Sequence, residues 1–109
     1  MENNTVSDGK AMAIISYITL VGTIIAIIVN STSKNPFTSF HIRQAFGILL
    51  VQIVGSLVLG TFGIHFLGWA FNIFILVLWI IGLPAAIQGE TKEVPFLGDK
   101  FQDWFKGIS

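Results

Sequence analysis

The sequence predicts an all-α integral membrane bundle: three transmembrane helices forming a single membrane domain over residues 1–109, with an amphipathic segment before the second helix and an amphipathic C-terminal tail. Three observations predict it. Charged residues make up 11% of the 109-residue chain, against roughly 25% in an ordinary soluble domain. They gather in three islands near residues 2–10, 34–43 and 90–106, leaving 23 residues (11–33) and 46 residues (44–89) free of Asp, Glu, Lys and Arg. Both stretches are continuous apolar runs rather than alternations of apolar and polar positions. Because hydrocarbon offers the backbone no hydrogen-bond partners, such runs point to helices and away from a membrane barrel.

Residues 11–29 are the first expected helix. Nineteen residues reach about 28 Å as a helix, close to the roughly 30 Å hydrocarbon core. The run is longer than the apolar core of a secretory signal and only Lys10 stands immediately before it, so it reads as retained. The second charge-free stretch is too long for one crossing and breaks at Gly60, Thr61, Gly63 and His65, residues that interrupt an aliphatic run. That leaves a second helix over residues 40–60 and a third over 66–87, the latter about 33 Å long and closed by Pro84, Gln88 and Gly89.

The second helix needs residues from upstream, since 46–60 alone would reach only about 22 Å. Asn35 and Pro36 are a start signal, because Asn caps a helix well and Pro tolerates its first position. Two forms remain open at this point: one continuous helix carrying Phe37, Phe40, His41 and Arg43 through the headgroup layer, or an interfacial helix over 36–44 followed by a bend. In the tail, residues 90–109, Leu97, Phe101, Trp104 and Phe105 share one helical face. A short helix beginning at Gly98 or Asp99 would lie on the membrane or dock under the bundle.

Three crossings would put the two chain ends on opposite sides. Lys10 then stands alone on one side, with Lys34, Arg43, Lys92, Lys100 and Lys106 on the other. Positive residues favour the cytoplasm, so the expectation is a multi-pass protein of the bacterial inner membrane, N-terminus outside and C-terminus cytoplasmic.

Within the spans, Gln52 and Asn72 are the strongest polar groups. An amide facing hydrocarbon without a partner costs several kcal/mol, so both are expected on inward faces of neighbouring helices, near Thr19 or Thr23. Trp69 reads as an interfacial anchor and Trp79 as a residue at mid-depth or in a contact. The chain has no cysteine, which removes thiol nucleophiles, disulfides and thiolate metal sites. No phosphate loop, intramembrane carboxylate pair or nucleophile elbow is present, and His41 and His65 fall on opposite sides of the membrane. No catalytic residue, cofactor or metal ligand is therefore assigned. Zero net charge without a Lys/Arg cluster argues against nucleic acid. The expected partners are the lipid bilayer and either further copies or other membrane proteins.

The most distinctive segment runs from Asn35 to Phe46. Its two phenylalanines suit the membrane boundary, while His41 and Arg43 suit headgroup phosphates or the end of another helix. Phe40, His41, Gln44 and Ala45 form a Phe-His-x-x-Gln-Ala pattern opening a hydrophobic helix, after a polar loop with Pro36 and Phe37. In this the chain resembles a family of small bacterial membrane proteins related to the polytopic subunit of the Tic translocon of the chloroplast inner envelope. The resemblance extends from Ala11 into the tail, including Gly89, Glu90, Pro95, Phe96, Leu97 and Gly98. It implies an integral membrane protein linked to protein import or to an assembly, although the plastid subunit has four membrane helices against the three counted here. The leading expectation is a non-enzymatic helix-packing subunit of a membrane assembly, and the runner-up is an oligomeric small channel or transporter. Candidate motif and interface residues are Phe40, His41, Arg43, Gln44, Gln52 and Asn72.

Overall fold

The computed structural model describes residues 3–18 and 20–108. Its helices are α1 (Asn3–Ile18), α2 (Leu20–Ser33), α3 (Pro36–Thr61), α4 (His65–Gln88) and α5 (Gly98–Trp104), and the described residues contain no strand. The all-α class is as the sequence predicts.

The cap at Asn35 decides how α3 begins. Asn35 Oδ1 accepts from the N–H groups of Phe37 at 3.0 Å and Thr38 at 3.1 Å, and Pro36 takes the first helical position. From there α3 runs unbroken for 26 residues, about 39 Å, so the continuous form holds and there is no separate interfacial helix. A turn with Gly63 at φ 66° leads into α4, whose 24 residues reach about 36 Å. Pro84 sits inside α4, and the helix closes at Gly89 in the left-handed conformation, φ 78°. Both α3 and α4 are long and apolar enough to cross a membrane.

The expected single helix over residues 11–29 does not form. Thr23 Oγ1 donates to the Ser16 carbonyl at 2.6 Å, a pair that one straight helix would hold about 10 Å apart. Helices α1 and α2 are therefore folded against each other as an antiparallel hairpin, and Asp8 and Met12 share a hollow with Val29, Asn30 and Ser33 at its open end. Gly22 is essential to the close approach, because a Cβ there would collide with the Ile15 carbonyl oxygen. The last carbonyls of a helix need partners; Ser16 O finds Thr23, and Tyr17 O accepts from the Trp79 indole N–H at 2.7 Å. Those two bonds let α1 end inside an apolar run that by length alone reads as one span. The three-crossing arrangement thus becomes two long helices and a hairpin whose second arm, 14 residues, reaches about 21 Å.

Helix α1 lies along the first half of α3, with Asn35 Nδ2 donating to Thr5 O at 2.9 Å and Thr38 Oγ1 to Gly9 O at 2.8 Å. Gly89, at the far end of α4, packs against Val6 and Lys10. The N-terminal segment, the start of α3, the end of α4 and the tail consequently meet at one end of the molecule. This corrects the expectation that the N-terminal segment and the tail lie at opposite ends.

The core sits at that same end. Tyr17, Phe37, Ile42, Leu78, Ala86 and Phe101 are buried there. All buried residues of α3 lie between Phe37 and Ile48, and all those of α4 between Ile75 and Ala86. Beyond them the two helices project as an apolar hairpin with residues such as Leu57 and Phe66 exposed, giving a body of 47 × 23 × 22 Å. Helix α5 begins at Gly98, as the sequence suggests, and docks on the side of α3. Phe101 fills the space left by Gly47, and Phe105 meets Phe46 edge-on at 5.0 Å. Trp104 does not join this face and stays exposed.

Candidate functional site

Polar side chains of α1 and α3 converge where α1, the first half of α3 and the tail meet. His41 and Gln44 stand one helical turn apart on α3 and are both fully buried. Tyr17, nearly buried on α1, places its hydroxyl between them, 2.7 Å from His41 Nδ1 and 2.8 Å from Gln44 Nε2. His41 Nε2 lies 2.7 Å from the Glu90 carbonyl.

Donor and acceptor chemistry orders this chain of bonds. A carbonyl only accepts, so Nε2 of His41 carries the proton and donates to Glu90 O, leaving Nδ1 to accept from the Tyr17 hydroxyl. The Tyr17 oxygen in turn accepts from Gln44 Nε2. Gln44 also donates to Lys92 O at 3.1 Å, and its Oε1 accepts the Val94 N–H at 2.9 Å. The imidazole is further enclosed edge-on by the rings of Phe37, Phe40 and Tyr17, with centroids 4.8, 5.0 and 5.4 Å away.

The neighbouring face of the same turns holds the rest of the tail. Arg43 donates from Nε to Ile108 O and from its second guanidinium nitrogen to Lys106 O, both at 3.0 Å. Gln102 Nε2 donates to Phe40 O at 2.8 Å. Every motif residue from Phe40 to Gln44 that was singled out in the sequence thus receives the tail, His41 and Gln44 taking residues 90–94 and Phe40 and Arg43 taking residues 102–108. Arg43 thereby ties residues 106–108 of the tail to α3.

The cluster holds a neutral hydrogen-bonded chain in a closed space, with its polar atoms committed to one another or to backbone. The Tyr17 hydroxyl and the His41 imidazole are paired, but both are buried and bonded onward; no group of three or more His, Asp or Glu side chains meets among the described residues. Its chemistry is that of a clamp. Tyr17 is the member the sequence reading missed. The signal was there, since it is the chain's one tyrosine, and a phenol buried in an apolar run needs a hydrogen-bond partner.

Gln52 and Asn72 lie away from this clamp. They line one groove between α3 and α4 with Ile48, Ile75, Leu76 and Trp79. Gln52 also lines a second hollow with Thr23, as anticipated; Thr19 lies outside the described residues. Both amides are exposed rather than turned inward, and among the described residues none covers the groove beyond the α1–α2 hairpin.

With the geometry in place, comparison with known proteins adds a membrane relative. The chain is similar to the UPF0132 membrane protein MJ1527 of Methanocaldococcus jannaschii, 29% identical over 77 residues. The match covers 67% of this chain and 54% of that protein, so it spans about half of the relative's length. No family model and no solved structure matches. Together the two long apolar helices and this similarity support a membrane protein.

Proposed function

We propose that this chain is a small, non-enzymatic integral membrane protein that acts as a helix-packing subunit of a membrane assembly. The observation that carries the reading is the projecting α3–α4 hairpin: it is free of formal charge from Gln44 to Gly89 and exposes apolar side chains along its length, yet bears at its middle two amides with no hydrogen-bond partner among the described residues. Lipid satisfies the apolar surface and leaves the amides wanting partners.

In this reading α3 and α4 cross the membrane, and the α1–α2 hairpin enters it part-way from the side that holds the tail. All six basic residues, Lys10, Lys34, Arg43, Lys92, Lys100 and Lys106, then belong to one end, against none at the turn after Thr61. By the positive-inside tendency that end, with α1 and the tail helix α5, faces the cytoplasm of a prokaryotic cell. A tie to protein import rests on the sequence resemblance around Phe40 to Ala45. The channel reading would need several copies to close a path around the Gln52 and Asn72 groove.

Purification in mild detergent, with mass analysis of what stays bound, tests the proposal. A stoichiometric assembly, homomeric or heteromeric, is the expected result. A chain that dissolves in buffer without detergent, or that is a lone monomer in every mild detergent, would overturn it.

A further inference from the structure

Gln52 and Asn72 stand at one depth. Gln52 is 16 residues from Pro36 and Asn72 is 16 residues from Gln88, each about 24 Å along its helix from the clamped end. They are not bonded to each other, and neither has a hydrogen-bond partner among the described residues. The groove they flank continues toward the far turn, where Ser56, Gly60, His65, Gly68 and Asn72 line its next section. Phe71, lying on Gly55, closes its floor. Its rims at Gly60 and Gly68 have open space where a Cβ would stand, so another backbone can come close.

We infer that this groove is covered by a second copy of the same chain, with Gln52 of each copy hydrogen-bonded to Asn72 of the other. The inference rests on the assembly reading above and names the partner. A lipid chain cannot bond an amide, and a foreign helix would have to bring a matching polar group to this depth. A second copy brings one necessarily. Each amide is both donor and acceptor, and each copy carries one on each wall. A twofold axis along the groove therefore sets Gln52 against Asn72 twice and leaves neither unpaired. The face carries no charge, so nothing repels the copy.

The cysteine-free sequence makes the test direct. Two differently tagged populations, Gln52→Cys and Asn72→Cys, are co-expressed in bacterial membranes and oxidised, beside a control pair, Val58→Cys and Val77→Cys, exposed positions outside the groove. The expected result is a mixed disulfide dimer about tenfold more abundant than in the control, and a dimer in detergent that the Gln52→Leu, Asn72→Leu variant weakens about tenfold or more, as loss of interhelical hydrogen bonds implies. Mixed disulfides no more frequent than in the control, in a preparation that retains a different polypeptide, would overturn the second copy and leave the assembly reading standing. A monomer with no partner would overturn both.

Discussion

Tyr17, His41 and Gln44 show what a buried polar cluster does in a small membrane fold. None of the three is satisfied alone, and each uses the others together with backbone groups from residues 90–94. Removing one member leaves its partners buried without a bond, which typically costs about 1–3 kcal/mol per group. Tyr17→Phe, which keeps the ring and removes the hydroxyl, is expected to destabilise the fold by about that amount. Unfolding titrations in detergent micelles would register it as a lower midpoint. Gln44→Leu has a wider effect, since Lys92 O and Val94 N also lose their partner. Hydrogen exchange over residues 90–108 is expected to accelerate in that variant while residues 75–86 of α4 stay protected. The motif residues were legible in the sequence because polar side chains opening an apolar helix stand out. Their partners were not, because Glu90, Lys92, Lys106 and Ile108 contribute carbonyls, and a backbone carbonyl leaves no mark on residue type.

At the scale of the element, the hairpin of α1 and α2 is where sequence and structure part. A largely apolar run of nineteen residues has the length of a span, and hydropathy does not register a helix that turns back. What turns it is specific: Gly22 against Ile15, Thr23 onto Ser16 O, and Trp79 onto Tyr17 O. Two of these join residues close in sequence, whereas Trp79 comes from α4, out of reach of local periodicity. The cap at Asn35 and Pro36, by contrast, depends on adjacent residues, and there the sequence reading and the fold agree. A Met12→Cys, Val29→Cys double variant is expected to close an intrachain disulfide, since both residues line one hollow; a straight helix would separate them by about 25 Å. Adding Gly22→Val is expected to abolish that disulfide by forcing the arms apart, with gel mobility under non-reducing conditions as the measurement. The groove around Gln52 and Asn72 was half legible: the two amides line one groove, but both are exposed where the sequence reading expected them turned inward.

At the scale of the whole molecule, the packed end and the projecting end have different tasks. The packed end gathers the N-terminal segment, the loop before α3 and the tail around one core, along with all six basic residues. In the proposed reading the projecting end is an uncharged helical hairpin presented to lipid and to a partner. This division predicts an even number of crossings, with α1 and α5 in one compartment. Membrane-impermeant thiol labelling of three single-cysteine variants in intact bacterial cells, Ser7→Cys, Lys100→Cys and Phe62→Cys, measures it directly, since the chain has no other thiol and all three positions are exposed. Phe62→Cys is expected to label from outside, while Ser7→Cys and Lys100→Cys label only after the membrane is opened. Labelling of Ser7→Cys from outside with Lys100→Cys still protected would mean three crossings and would contradict the hairpin on which the account stands.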